Sequence, residues 1–156
     1  MWYGSKKVGD IGSYADPAKG FTGGMFWQWQ PLTNPNRHKD TDFKSACINF
    51  PTVIACCELH DLVPADRVAP TEEYPTYQTK DFYLEKAKEI YEWSKAHFCD
   101  DLYPGRVADG IHGGGPEWGN HLYNQATYIG ASCLLYKLTG DEQYLTNARE
   151  GADYVK

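Results

Sequence analysis

Leu134-Leu135-Tyr136-Lys137-Leu138-Thr139-Gly140-Asp141-Glu142-Gln143-Tyr144-Leu145 decides the fold of this chain. It joins two helices of opposite character through a tight stop and restart. Upstream, residues 119–138 are apolar nearly all round, with Leu122, Ala126, Ile129, Ala131, Leu134, Leu135 and Leu138, and with Lys137 as the formal charge. A helix apolar on every side is buried on every side. Gly140 suits the left-handed C-cap of that helix, and Asp141 suits the N-cap of the next. Downstream, residues 142–156 are charged and amphipathic, so that helix faces water on one side.

The same alternation appears earlier in the chain. Residues 43–62 read as an apolar helix through Phe43, Ala46, Cys47, Phe50, Val53, Ile54 and Cys57, with Pro51 expected to kink it or to start a second segment. Residues 81–98 read as an amphipathic helix that Asp81 can cap, with Leu84, Ala87, Tyr91, Ser94 and Phe98 on one face. The repeat is also visible in the residues themselves. Tyr83-Leu84-Glu85-Lys86-Ala87-Lys88 matches Tyr144-Leu145-Thr146-Asn147-Ala148-Arg149. Apolar helices that alternate with amphipathic ones form two concentric layers. The fold expected is therefore all-α, an (α/α)6 toroid represented here by about four main helices. Residues 1–156 form one partial toroid domain: a loop-rich lead-in over 1–42, a first helix pair over 43–98 and a second over 119–156. Residues 63–80 and 99–118 read as loops. Met25-Phe26-Trp27-Gln28-Trp29-Gln30 alternates weakly, as a short strand or an extended loop.

Composition excludes several classes of partner. The net charge is −6 with no Lys/Arg run, which argues against nucleic acid and anionic membranes. No stretch approaches ~20 continuous apolar residues, so no membrane span is expected. Met1-Trp2-Tyr3-Gly4 and the polar stretch from Lys6-Lys7 onward hold no apolar leader core, which in a piece of a longer chain says nothing about where the protein acts. The five cysteines form no Cys-x-x-Cys pair. Cys47, Cys56, Cys57 and Cys133 sit among apolar residues and read as packing groups. No metal is expected, since the five histidines show no His-x-x-x-His, and His112 near Asp109 is only a thin hint. No phosphate-binding loop or Gly-x-Ser-x-Gly nucleophile motif is present, and no cofactor is implied.

Polar residues at the starts of the apolar helices are the candidates for chemistry. One group is Lys44, Ser45 and Asn49; the other is His121, Tyr123, Asn124 and Gln125. Two uses are open to each. The side chains can bind the hydroxyls of a sugar, or they can satisfy loop backbone groups. Glycoside hydrolysis needs two carboxylates flanking the scissile bond. Asp100-Asp101 reads as a solvated helix end and Glu72-Glu73 as a solvated loop. Asp109 and Glu117 lie near a glycine-rich loop that can reach the mouth. No carboxylate pair emerges.

The segments then resemble glycoside hydrolase family 76. Gly23-Gly24-Met25-Phe26-Trp27 is similar to its Gly-Gly-x-x-Trp, and Lys44-Ser45-Ala46-Cys47-Ile48-Asn49 to its Lys-Asn-Ala-x-x-Asn. Tyr123-Asn124-Gln125-Ala126 resembles its Tyr-Asn-Gln-Gly, and Leu138-Thr139-Gly140-Asp141 follows in register. Ser45, His121-Leu122 and Ala126 depart from the pattern. The resemblance implies an (α/α)6 barrel and a retaining hydrolase of α-mannan, like the endo-α-1,6-mannanases, acting outside the cytoplasm on polysaccharide or oligosaccharide. It implies that Trp27, Lys44, Asn49, Asp109, Tyr123, Asn124 and Gln125 line the substrate groove. The family's adjacent catalytic aspartates precede Gly-Gly-x-x-Trp, and no Asp-Asp occurs there in this chain. The chain is thus expected to be a piece of the enzyme, inactive alone, with no catalytic residues of its own. A non-catalytic glycan-binding toroid is the alternative, as is another toroid sugar enzyme such as an unsaturated glycuronyl hydrolase or an epimerase.

Overall fold

The computed structural model describes residues 23–27, 43–67, 70–72, 78–112 and 115–156. The remainder of the lead-in and the middle of the 63–80 loop lie outside the described residues. The elements run β1 (Lys44–Ser45), α1 (Ala46–Leu62), α2 (Lys80–Phe98), β2 (Gly110–His112), β3 (Gly115–Glu117), α3 (Leu122–Thr139) and α4 (Glu142–Tyr154).

The apolar helices α1 and α3 pack side by side, and each carries its own amphipathic partner, α2 on α1 and α4 on α3. This is the two-layer logic of an α/α toroid. Both apolar helices start at one end. The Ala46 N–H of α1 and the Asn124 amide of α3 each bond to Asp109, on its carbonyl and carboxylate respectively. At the other end Lys137, in the last turn of α3, pairs with Asp61 of α1 at 2.9 Å.

The core sits where the layers meet. Phe50 of α1 is fully buried, with its ring 6.1 Å from Tyr91, 6.3 Å from Phe98 and 5.2 Å from Tyr128. The repeat places Ala87 and Ala148 alike: both are buried under the apolar helices. Small residues there let the outer helices approach closely.

A directed hydrogen-bond relay crosses this core. Gln143 Nε2 donates to the side-chain oxygen Oδ1 of Asn147, and Asn147 Nδ2 donates to the Tyr91 hydroxyl at 2.8 Å. The Tyr91 hydroxyl lies 2.7 Å from Ser132 Oγ, which itself donates to the Tyr128 carbonyl, so Tyr91 is the donor to Ser132. Through the buried Asn147, Tyr91 and Ser132 the relay ties α4, α2 and α3 together, each group satisfied by the next. Tyr91→Phe leaves the Asn147 amide without its acceptor and is expected to cost about 2 kcal/mol. Adding Ser132→Ala in the Tyr91→Phe background should cost clearly less than it does alone, which a double-mutant cycle by urea denaturation checks.

Several expectations need correction. The first helix begins at Ala46, because Lys44 and Ser45 pair as β1 with Ile111 and Gly110. Of the two outcomes expected at Pro51, a second segment does not arise: α1 runs through it as one helix. Asp81 lies inside the first turn of α2; the cap is Thr79, whose Oγ1 accepts from the Phe82 N–H at 3.2 Å. Residues 99–118 are not all loop: β2 and β3 form a hairpin, and with β1 a three-stranded antiparallel sheet in the order β1-β2-β3. Phe26 bridges to Lys44 on the outer edge. The cysteines divide. Cys56 and Cys57 are buried, Cys47 is half-buried, and Cys133 is exposed on a side of α3 that α1 and α4 leave uncovered. Gly140 and Asp141 behave as their positions require, with φ 70° at Gly140 and the Asp141 carboxylate accepting from the Gln143 N–H.

Candidate functional site

The sheet holds the loop before α3 against the start of α1, and this builds the site. Asp109 stands at the junction. Its carbonyl accepts from the Ala46 N–H at 2.9 Å and from Ser45 Oγ at 3.1 Å, while its N–H donates to the Glu117 carbonyl at 2.9 Å. The backbone is held from both sides, so the carboxylate direction is set. Oδ1 accepts from the Tyr123 hydroxyl at 2.9 Å and from the Asn124 amide at 2.9 Å. His121 Nε2 approaches the same oxygen to 3.9 Å. The imidazole stacks on the Tyr123 ring, with centroids 5.3 Å apart.

The cluster is half open. Tyr123 is 50% exposed, and Asp109 keeps about a quarter of its side-chain surface. Partial burial, followed by the Asp109 hydrogen bond and its negative charge, holds the Tyr123 phenol above its ordinary range, so it remains a donor at neutral pH. Asn124 is fully buried, and its Oδ1 has no hydrogen-bond partner among the described residues. A crevice of about 410 Å³, lined by Asn120, Leu122, Gln125, Tyr154 and Val155, opens at the same end of α3.

The other expected site residues fall into a different place. Lys44 has no exposed surface. Its ammonium donates to the Gly23 carbonyl and lies 4.6 Å from the Phe26 ring centroid and 5.2 Å from that of Trp93. Asn49 is equally buried. It accepts from the Met25 N–H at 2.9 Å and donates to the carbonyls of Met25 at 3.1 Å and Ser45 at 2.8 Å. Gln125, with its amide oriented to satisfy both neighbours, donates to Gly105 and accepts from the Val107 N–H at 2.8 Å. In this structure these three side chains clamp loops: Lys44 and Asn49 hold 23–27, and Gln125 holds 105–107.

The segment they hold ends in Trp27, which is 49% exposed and meets Phe43 edge-on. Trp93 completes its seat. A Cβ on Gly24, at φ +62°, would lie 2.2 Å from the Trp93 ring, so the second glycine is required by both backbone and space. Sequence reasoning missed Trp93. Adjacent glycines signal a close approach, but nothing in the sequence says what approaches. Asp100 is held within its own loop, where its carboxylate accepts from the Leu102 N–H and pairs with Arg106 at 3.3 Å. The described residues hold no group of three or more His, Cys, Asp or Glu side chains suited to a metal ion, and no helix among them is long and apolar enough to cross a membrane.

Comparison with known proteins places this geometry. No curated protein matches the chain. Among solved structures, the GH76A α-1,6-mannanase of Salegentibacter sp. HEL1_6 is 30% identical, with a TM-score of 0.62 over 85% of this chain and 33% of that one. The Lin0763 protein of Listeria innocua is 27% identical, with a TM-score of 0.61 over 84% of this chain and 31% of that one. A family 76 glycoside hydrolase from a bovine Bacteroides thetaiotaomicron strain is 26% identical, with a TM-score of 0.62 over 85% of this chain and 25% of that one. The chain thus spans a quarter to a third of the length of these structures, and its helices follow part of their toroid. The sequence pattern of glycosyl hydrolase family 76 matches residues 16–156. With nearly the whole sequence accounted for, the chain belongs to glycosyl hydrolase family 76.

Proposed function

We propose that the protein is a retaining, endo-α-1,6-mannanase-like glycoside hydrolase and that this chain supplies part of its substrate groove. The Asp109 cluster carries the proposal. It presents one fixed carboxylate acceptor and one phenol at the mouth of a family 76 toroid. The relatives support the choice of sugar. The Salegentibacter α-1,6-mannanase has been solved as an inactive variant, with two adjacent aspartates replaced, in complex with α-1,6-mannotriose.

Retaining hydrolysis needs a nucleophile and an acid/base on facing carboxylates. Among the described residues the cluster holds one carboxylate, and the sequence has no Asp-Asp ahead of Gly23. The proposal therefore assigns the reacting pair to aspartates outside this chain. The residues present bind and orient. Asp109 accepts from sugar hydroxyls with the lone pairs that Tyr123 and Asn124 leave free. Tyr123 offers its ring edge and hydroxyl, and Trp27 offers a ring face to a more distant sugar. Such positioning lowers the barrier by holding the scissile bond in a reactive geometry. An extracytoplasmic site of action belongs to the same proposal, because a polymeric mannan does not cross membranes.

The test is calorimetric titration of the chain with α-1,6-mannotriose. Asp109→Ala is expected to weaken binding by roughly tenfold to a hundredfold, the range for losing hydrogen bonds to a charged acceptor. Equal affinity in the variant would remove Asp109 from the site. Tighter binding of an unsaturated glucuronyl disaccharide than of the mannotriose would move the protein to a different substrate class.

A further inference from the structure

The segments on either side of the β2–β3 hairpin carry a second group of side chains that the Asp109 cluster does not use. Trp118 directly follows β3 and is 40% exposed; Tyr103 is 58% exposed. The Arg106 guanidinium lies between them, 4.8 Å from the Trp118 ring centroid and 5.8 Å from that of Tyr103. Arg106 is itself anchored. Its Nη1 pairs with Asp100 at 3.3 Å, and its N–H donates to the Tyr103 carbonyl at 3.0 Å. One face of each ring is therefore taken up by a fixed cation, and the indole keeps open surface. Neither ring belongs to the core.

The position matters as much as the exposure. Trp118 follows Glu117, whose carbonyl receives the Asp109 N–H. The next residue, Gly119, is so close to the His121 ring that a Cβ there would lie 2.6 Å from Nε2. His121 in turn stacks on Tyr123. The backbone thus brings Trp118 next to the glycine that packs on His121, and His121 stacks on Tyr123, while Asp109 is hydrogen-bonded to the residue before Trp118.

We propose that Trp118, backed by Arg106 and Tyr103, is a stacking platform for a pyranose ring adjacent to the sugar held at Asp109. The proposal rests on the reading of this mouth as a glycan groove and adds a subsite to it. A ring held in place pays little conformational entropy when the apolar face of a sugar settles on it. The Arg106 charge is balanced by Asp100, so the platform suits a neutral hexose more than a uronate.

Calorimetric titration of the chain and its variants with α-1,6-linked mannose di-, tri-, tetra- and pentasaccharides tests this, with far-ultraviolet circular dichroism confirming that each variant is folded. Wild type should gain affinity with length. Trp118→Ala should lose about fivefold to tenfold for the longer oligosaccharides and little for the disaccharide. Trp118→Phe should keep most of the gain, because it retains a ring. Asp109→Ala should weaken every length. Unchanged affinity at all lengths in Trp118→Ala would overturn the platform and leave the Asp109 reading standing. An equal loss at every length would overturn its placement beside that sugar. Failure of the folded wild type to bind any length would overturn both.

Discussion

Phe50→Ala is expected to lower the stability of the chain by about 3–5 kcal/mol, the usual cost of emptying a fully buried aromatic site. The ring touches Tyr91 and Phe98 from α2 and Tyr128 from α3, so three helices lose a common contact at once. These neighbours are large and mutually braced. Tyr91 and Tyr128 lie nearly parallel at 6.1 Å, and Tyr91 is fixed at its hydroxyl by Ser132 and Asn147. They cannot collapse into the space, which puts the loss near the upper end. A domain of this size has only about 5–15 kcal/mol to lose. Urea denaturation should show a much lower midpoint for Phe50→Ala, while Phe50→Leu should cost about 1–2 kcal/mol. A loss below about 1.5 kcal/mol for the alanine variant would show that the core is not built around this ring.

A cooperative loss of helix is expected as the pH rises past about 10. Burial pushes the Cys56 thiol from 9.0 up to about 11, and those of Cys57 and Cys99 up to about 12. Burial, with Glu92 beside it, raises the Tyr144 phenol from 10.0 to about 12, and burial holds Tyr91 and Tyr128 above their ordinary range too. The sign follows from proton binding. Each folded-state value is raised, so above its ordinary value the folded chain retains a proton that the unfolded chain releases. The stabilisation is complete below about pH 9 and is lost as pH climbs through the raised values. Each group contributes a slope of about 1.4 kcal/mol per pH unit, so three thiols together contribute roughly 4 kcal/mol per unit. Circular dichroism in reductant should show the transition between about pH 10 and 11. Cys57→Ala should move it upward. A helical signal that persists past about pH 11.5 would contradict the assignment of these groups as buried and neutral.

The layered architecture was legible because charge is segregated by helix. Lys137 is the formal charge of the apolar stretch 119–138 before Thr139-Gly140-Asp141, whereas Glu85, Lys86, Lys88, Glu89 and Glu92 crowd the outer face of α2. The sheet was not legible. Its strands are two or three residues long, and Gly110, Gly115 and Pro116 carry no strand periodicity. Lys44 leaves the helix because its partner is Ile111, a pairing that local pattern cannot reveal. The site was legible in part. The residues around Tyr123 pointed to the mouth, and the structure brings Tyr123 and Asn124 to Asp109. For Lys44, Asn49 and Gln125 the sequence left two uses open. The choice depended on carbonyls at Gly23, Met25 and Gly105, delivered by loops folded back from elsewhere in the chain. Residue type shows that a buried amide needs a partner, but it does not show where the partner comes from.

The loop that carries Asp109 is seated at two points. Gly105, at φ +84°, lies so close to α4 that a Cβ would fall 2.1 Å from the Glu150 carbonyl oxygen. Asp109 is fastened to the first residues of α1. Between those seats the chain can neither gain nor lose a residue without pulling one of them out. Variation in length on this side of Asp109 is therefore expected in the stretch after α2 that ends at Pro104. Insertions there would reshape the rim and leave the carboxylate where it is. Under the proposed glycan-binding role of Asp109, relatives that differ in this stretch would present a different rim around an acceptor that does not move.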